Sequence, residues 1–356
     1  MLKVIFFLDN RLITNIWGRY SPKEVPNVTV LSTVKNIELT ASPFIKSLVN
    51  QTYRDYQILI IDACSSDDTR LILADELSKG SIPYEIIELD SNQPKALNFP
   101  ISQSLLNTEY VAFIDGDCVA DADWLSNLVS CMEETNSDAV GGPGFTPPGA
   151  SMLQKLIGLD LDTRFKSTPE GPINRHPNMN LLVRRDVLEN VPFDETMDVA
   201  YDTDFGYRAT SIGYRFYYTP DAVVMHHHRP NLKSYCKQQI KSAEFSYGLY
   251  LRGGASRKGD NINPWWMLLQ LPIFTLILLT SPLVFHHILY IIPLMFGVTL
   301  AVLFIQGTLV SAKATKQRLS IALPFLYSLR ICLWVMGLWN AVTRQARSKS
   351  VTKASG

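Results

Sequence analysis

Three long stretches of this 356-residue chain carry almost no charge. Pro264 to Phe285 (PWWMLLQLPIFTLILLTSPLVF) and Ile288 to Val310 (ILYIIPLMFGVTLAVLFIQGTLV) have none, and Ser320 to Val342 (SIALPFLYSLRICLWVMGLWNAV) has only Arg330. A bilayer core about 30 Å thick takes roughly 20 apolar residues as helix, so each stretch is long enough to cross. A helix in a soluble core keeps a polar face, whereas these are apolar around the whole circumference. The expectation is a membrane domain over 261–343, with spans at about 264–285, 288–310 and 320–342. Trp265 and Trp266 stand where an interfacial aromatic belt would lie.

Charge divides the chain in the same place. Residues 26–230 hold 29 acidic and 15 basic residues, and residues 231–356 hold 2 acidic and 14 basic. An acidic head is joined to a basic, apolar tail, and no nucleic-acid partner is expected of it. Lys233, Lys237, Lys241, Arg252, Arg257 and Lys258 precede the first span, and Lys313, Lys316 and Arg318 follow the second. Two spans separate the clusters, so both can face the cytoplasm, with the head beside them. A third crossing would put the basic tail 344–356 (Arg344, Arg347, Lys349, Lys353) outside, against that rule. The third segment is then an exception, re-entrant, or tilted against its neighbours. Arg330 within it should face protein, a lipid phosphate or a cavity. The extension 1–25 reads as no signal peptide, because Asp9 and Arg11 end the short run Val4–Leu8. The five cysteines show no CxxC spacing and read as reduced structural thiols.

Within 26–230, strand patterns at Val28–Thr33, Tyr56–Asp62, Tyr84–Asp90 and Tyr110–Asp115 alternate with helical ones. Ser42-Pro43 predicts a helix start, and the run from Lys95 predicts a helix broken near Pro100. This order predicts an α/β domain with a mostly parallel sheet, whose ligands bind at the carboxyl ends of the strands. Asp62 and Asp115 both sit at such ends. On extended backbone Asp115 and Asp117 would point the same way, with Gly116 letting a ligand approach between them. Paired carboxylates repel, so a divalent cation completed by phosphate oxygens fits them. D-G-D alone also suits a solvated turn.

Several motifs in order resemble glycosyltransferase family 2, with the GT-A nucleotide-sugar fold, from about Val28 to Gly248. LVNQTYRDYQILIIDACSSDDT resembles the donor-binding block, with Asp62 at its first aspartate and Ala63 and Cys64 in place of an aspartate and a glycine. KALN, DGD, NLLVRRDVLENVPFDE and YDTDFGYRATSIGYRFYYTPDAVVMHHH resemble the later blocks, with Tyr201 where the family has glutamate. The resemblance implies donor contacts from Glu38, Asp62, Lys95, Asn98, Asp115 and Asn180. It implies a metal, Mg2+ or Mn2+, on Asp115, Asp117 and His226, with His228 the fallback. It implies a general base at Asp202, with Asp204 the alternative.

The implied activity is inverting transfer from a UDP- or GDP-sugar to a lipid-linked saccharide or other glycan. The implied setting is a multi-pass protein of the cell membrane with a cytoplasmic catalytic face. A polyprenyl phosphate is the other acceptor, being an anion that needs little base. The basic helix expected over 231–260 suits the inner leaflet. Gln238-Gln239-Ile240-Lys241-Ser242 lacks the Gln-x-x-Arg-Trp of processive synthases. A non-catalytic scaffold is the rival that Ala63, Cys64 and Tyr201 favour, and a transporter subunit is suggested by the spans alone.

Overall fold

The computed structural model describes residues 26–252 and 259–354. The expected extension 1–25 and the basic residues Arg257 and Lys258 lie outside them, as do the side chains of Arg252, Arg347, Lys349 and Lys353. The head opens with β1 (Val28–Val34), α1 (Glu38–Val49), β2 (Tyr56–Asp62), α2 (Thr69–Ser78), β3 (Tyr84–Glu88), α3 (Gln93–Ser102) and β4 (Tyr110–Ile114). It continues with β5 (Cys118–Ala120), α4 (Trp124–Thr135), β6 (Ala139–Gly141), β7 (Gly144–Phe145), α5 (Met152–Ser167), β8 (Gly171–Ile173) and β9 (Asn180–Arg184). Then come α6 (Arg185–Asn190), α7 (Tyr201–Ser211), β10 (Phe216–Tyr218), β11 (Val224–His226) and α8 (Leu232–Arg252).

Eight strands form one sheet in the order β3-β2-β1-β4-β9-β6-β10-β8. The block β3-β2-β1-β4 is parallel, β9 runs against both β4 and β6, and β10 is parallel to β6 and antiparallel to β8. The continuous apolar runs have a simple cause, since both faces of the sheet are covered. Tyr110, Ala112 and Ile114 of β4 pack with Phe44, Leu73 and Trp124 on one face. Val111 and Phe113 pack with Leu97, Val187 and Phe205 on the other. A second sheet, β5-β11-β7, stands beside the carboxyl end of β4.

Two local expectations are corrected. Helix α1 starts at Glu38, so Ser42 and Pro43 lie inside it. The start is capped from a distance: Ile37 N donates to Thr69 Oγ1 at 2.7 Å and Glu38 N to Asp67 Oδ2 at 3.3 Å. A tertiary cap has replaced the local one, satisfying amides that a helix leaves open. Helix α3 also runs through Pro100 and stops at Ser102, with Asn92 as its N-cap accepting from Lys95 N.

The apolar region folds as α9 (Trp265–Leu268), α10 (Gln270–Thr280), a 3-10 turn (Ser281–Phe285), α11 (Ile291–Thr315), a second 3-10 turn (Arg318–Ala322) and α12 (Leu323–Ala354). Among the described residues, three segments are long and apolar enough to cross a membrane: Trp265–Phe285, Ile291–Thr315 and Arg318–Arg344. They differ in packing, because 39% of the third is buried in the molecule against 6% of the first. Helix α12 lies along α8 with the two chains running the same way. Trp334 Nε1 donates to Gln239 Oε1 at 3.1 Å, and Arg344 pairs with Glu244 at 3.1 Å. Between them, a Cβ on Gly337 would sit 2.3 Å from the Ile240 carbonyl oxygen, so glycine permits the close crossing. Helix α8 in turn sits on the head through Lys241 to Asp198 at 3.2 Å and through buried Leu249.

His176 is buried between Phe165 and Tyr218, with ring centroids 5.7 and 5.8 Å away. A Cβ on Gly141 would overlap its ring, which accounts for that glycine. Burial holds the His176 imidazole down to about 4. As pH falls below about 6.5 the unfolded chain takes up this proton first, so stability present at neutral pH is lost, by about 3 kcal/mol at pH 4. The thermal midpoint is expected to fall between pH 6.5 and 4.5, and to fall less in His176→Leu. Equal slopes in the two proteins would contradict the burial.

Candidate active site

The carboxyl ends of β2 and β4 meet at a shelf built by the loop between β2 and α2. Asp62 is fully buried and accepts from Ser65 N at 3.2 Å and Ser65 Oγ at 2.5 Å. Asn36 Oδ1 accepts from Ser66 N at 2.8 Å, and Glu38 Oε2 from Asp68 N at 3.4 Å. Asp62 thus shapes the loop, and Glu38 stands exposed at its edge. Cys64 takes φ of 54°, a left-handed conformation that favours glycine.

Asp115-Gly116-Asp117 is a turn rather than extended backbone, closed by Cys118 N donating to Asp115 O at 2.9 Å. Gly116 faces the interior. A Cβ there would come within 2.7 Å of Ile37 Cδ1, so it serves close packing and not ligand approach. Asp117 is directed by strand pairing. His226 lies opposite Cys118 in the β11–β5 register, and His227 N donates to Asp117 O at 2.9 Å. This sets His226 Nε2 3.6 Å from Asp117 Oδ1. His226 Nδ1 is buried with no hydrogen-bond partner among the described residues.

The electrostatics follow from crowding. Burial, then the neighbouring Asp117, pushes the Asp115 carboxyl up to about 7. Burial would raise Asp117 too, but His226 outweighs it and holds Asp117 below the usual carboxylate range. One of two crowded carboxylates gives way to the other. Ligand atoms of Asp117, Cys118 and His226 all lie within 4.8 Å of one another. Burial raises the Cys118 thiol well above its ordinary value. A carboxylate and an imidazole with an orphan nitrogen beside them fit a divalent cation. His228 is committed elsewhere, with Nε2 3.0 Å from Thr146 Oγ1 and its carbonyl accepting from Gln154 at 2.8 Å.

Asp202 sits in the first turn of α7, after Ala200 with φ of 64°. Its Oδ1 accepts from Thr203 N at 2.7 Å. Burial raises its carboxyl, with Arg175 opposing. Asp204 lies on a helix, where residues two apart are about 200° around the axis from each other. It faces away from Asp202 and pairs with Arg208 at 2.6 Å, so the two do not share a face as extended backbone would have them. Tyr201 turns its ring into the core against Phe193 at 5.7 Å.

Two expected donor residues are structural. Asn98 donates to Phe193 O at 2.9 Å and Glu195 Oε1 at 3.1 Å and accepts from Phe193 N at 3.0 Å, tying α3 to the loop before α7. Asn180 is fully buried, accepts from Trp124 Nε1 at 2.8 Å, and donates to Pro143 O and Ala222 O at 3.0 and 2.7 Å. Lys95 is exposed on α3. Gln93, which no motif marks, reaches Asp115 Oδ1 at 3.5 Å. Arg175 was equally silent in the sequence; it holds Asp260 through two nitrogens, at 2.8 and 3.2 Å, and reaches Thr203 Oγ1 at 3.0 Å.

A cavity of about 1090 Å³ opens beside this site. Its polar end is lined by Thr203, Tyr207, His226 and Asn263, and it runs between α5, α8 and α12 to Leu271 and Leu276 of the first apolar segment.

A mostly parallel sheet covered on both faces, with carboxylates gathered at its strand ends, is the GT-A α/β arrangement. The family model described as glycosyl transferase family 2 matches residues 29–191. Glycosyltransferase AglE of Haloferax volcanii is 31% identical over 212 residues, covering 58% of this chain and 68% of that protein. Poly-beta-1,6-N-acetyl-D-glucosamine synthase of Staphylococcus epidermidis is 22% identical over 236 residues, covering 65% of this chain but only 57% of the synthase. Among solved structures, the mannosyltransferase PcManGT from Pyrobaculum calidifontis, in complex with GDP-Man and Mn2+, aligns with a TM-score of 0.57 at 17% identity. That alignment covers 90% of this chain and 88% of PcManGT and shows a shared fold. The chain belongs to glycosyl transferase family 2. It is a glycosyltransferase by that membership.

The left-handed Cys64 costs roughly 1–2 kcal/mol relative to glycine's freedom there, and glycine costs about 0.4–1 kcal/mol through the unfolded chain. Cys64→Gly is therefore expected to hold or raise stability by up to about 1 kcal/mol, while β-branched Cys64→Val lowers it. Thermal midpoints check this; a Cys64→Gly protein melting well below wild type contradicts the loop conformation.

Proposed function

We infer that the protein is a membrane-bound, inverting glycosyltransferase that moves a sugar from a nucleoside diphosphate sugar to a lipid-linked saccharide. The observation that carries this is the cavity: it begins at His226 and Thr203 and ends among leucines of an apolar segment. An acceptor with a sugar at one end and a lipid at the other fits such a lining. In this reading the unit 26–230 is the catalytic head, 261–343 the membrane part, and α8 the joint between them.

Asp117 and His226 would hold the cation, and an imidazole ligand favours Mn2+ over Mg2+, which takes oxygen ligands. When bound, the cation would neutralise the diphosphate leaving group. Asp115 and the shelf of Glu38, Ser65 and Ser66 would receive the nucleoside, UDP or GDP, with Lys95 at the rim. Asp202 takes the acceptor hydroxyl's proton as it attacks, and its raised affinity for protons suits a base. Direct displacement on the face opposite the leaving group inverts the anomeric carbon. Arg175 holds the segment through Thr203. Asp204, paired with Arg208, keeps the helix turn in place.

The second reading, a polyprenyl phosphate acceptor, needs no base, and the buried arginines of the cavity favour it. Asp202→Asn separates the two. With a sugar hydroxyl as nucleophile, turnover at saturating donor should fall by roughly 10²–10⁴-fold, and Asp204→Asn should lose far less. Near-normal turnover in Asp202→Asn would move the reading to the phosphate acceptor.

Packing of the third segment supports a topology of two crossings. If α12 crossed the bilayer, α8 beside it would carry Lys233, Lys237, Lys241 and Glu244 into hydrocarbon, at about 2.5–3.5 kcal/mol for each such charge. Lying at the interface instead, α12 turns Phe325, Met336 and Trp339 outward, 79%, 54% and 70% exposed. The clusters before the first span, after the second, and at Arg344 then share the cytoplasmic side. An impermeant thiol reagent on intact cells should label a cysteine at His287 and not one at Arg344. Labelling at both positions would restore a third crossing.

A further inference from the structure

The wall of the cavity holds an unbalanced charge. Asp160 Oδ2 accepts from Arg164 Nη2 and from Arg330 Nη1, each at 2.7 Å. The cavity's other carboxylate, Asp260, is already matched by Arg175 at 2.8 Å. Among the described lining residues, two guanidiniums therefore face one carboxylate, leaving one positive charge. Of the histidines there, His228 Nε2 lies 3.0 Å from Thr146 Oγ1 and His226 is turned to Asp117.

That surplus charge sits in a costly place. Arg330 is 4% exposed, within an apolar segment, and its Nε has no hydrogen-bond partner among the described residues. Its Nη2 reaches Gln270 Oε1 at 3.3 Å, and Gln270 Nε2, also buried, has no partner among the described residues. Tyr327 and Trp334 flank the guanidinium, each ring centroid 4.8 Å from Cζ, and fix its plane. A structural ion pair would need only one arginine, and Arg164 already supplies it from the same helix, with Nε on the Asp160 carbonyl at 3.1 Å. A buried cation on the cavity wall with an unpartnered Nε–H, backed by Gln270, calls for an anion. Toward the first span the lining is Leu268, Leu269, Leu271, Pro272 and Leu276, with Leu338 opposite. Such walls suit a hydrocarbon chain attached to that anion.

We propose that Arg330, positioned by Gln270 behind it, seats the phosphate of a long-chain lipid phosphate, with the chain lying along the leucines of the first apolar segment. The proposal rests on the lipid-linked acceptor read above, and adds the group that anchors it. Seated there, the phosphate lies between the apolar chain and the polar end at His226 and Thr203. In a lipid-linked saccharide, the sugar beyond the phosphate would then extend toward Asp202.

The test is binding of geranylgeranyl phosphate to the detergent-solubilised full chain, read by tryptophan fluorescence, beside geranylgeraniol and inorganic phosphate. The lipid phosphate is expected to bind at least tenfold more tightly than either control, and Arg330→Gln to weaken it tenfold or more. Arg330→Gln leaves the Asp160–Arg164 pair intact, and Gln270→Leu, expected to weaken binding several-fold, serves as a second variant should the first not fold. Undiminished binding in folded variants, or equal binding of the alcohol or of inorganic phosphate, overturns the proposal. Binding of UDP and GDP with Mn2+ to wild type reports on the donor reading separately: its failure beside intact lipid-phosphate binding sinks that reading and not this one.

Discussion

The contact between Asp160 and Arg330 joins two parts of the chain that sequence alone would keep apart. Asp160 belongs to a helix of the head and Arg330 to the most ambiguous of the apolar segments, 170 residues further on. A buried arginine without a partner is costly, and so is a buried aspartate without one. Together they fix α12 against α5, and α8 is held alongside by Trp334 to Gln239 and Arg344 to Glu244. Thr163 Oγ1 on α5 also donates to Ser311 Oγ on α11 at 2.8 Å, so the head grips two of the apolar helices.

At the other end of the cavity, the large sheet positions Asp115 and the small second sheet positions His226. β4 delivers Asp115, a tight turn carries the chain to Asp117, and the pairing of β5 with β11 brings His226 across. Shifting that register by one residue would replace His226 by a neighbour on the opposite face. Crowding of Asp115 and Asp117 is a cost that folding tolerates, and left-handed Ala200 next to Asp202 is another. Strain of this kind gathers where side chains are set for a ligand and not for stability.

Much of this was legible in the sequence. The continuous apolar strands, the carboxylates at their ends and the three apolar segments follow from periodicity and composition. So does the nearness of Asp117 to His226, once the family resemblance places them. What was not legible depended on tertiary contacts. Asn98 and Asn180 read as donor contacts because their motif positions match, yet the Asn98 amide is spent on the loop before α7 and the Asn180 amide on Trp124, Pro143 and Ala222. Ser42-Pro43 imitates a helix start, but Thr69 and Asp67 cap the helix four residues earlier. Asp204 is two positions from Asp202 in either reading, and only the helix shows that they face apart. Arg330 was visible as an anomaly, while its partner Asp160 could not be named without the fold. Both arginines around Asp160, and Arg175 with Asp260, carry no motif at all.

The central claim is that the catalytic head works on an acceptor rooted in the membrane beside it. The most direct measurement follows radiolabelled sugar from UDP- and GDP-sugar donors incubated with membranes containing the protein and Mn2+, then partitioned between organic solvent and water. Label carried into the organic phase by wild type, and absent with Asp117→Ala, is the result this account predicts. Label confined to free sugar or to a water-soluble glycan, with the organic phase empty, would contradict it.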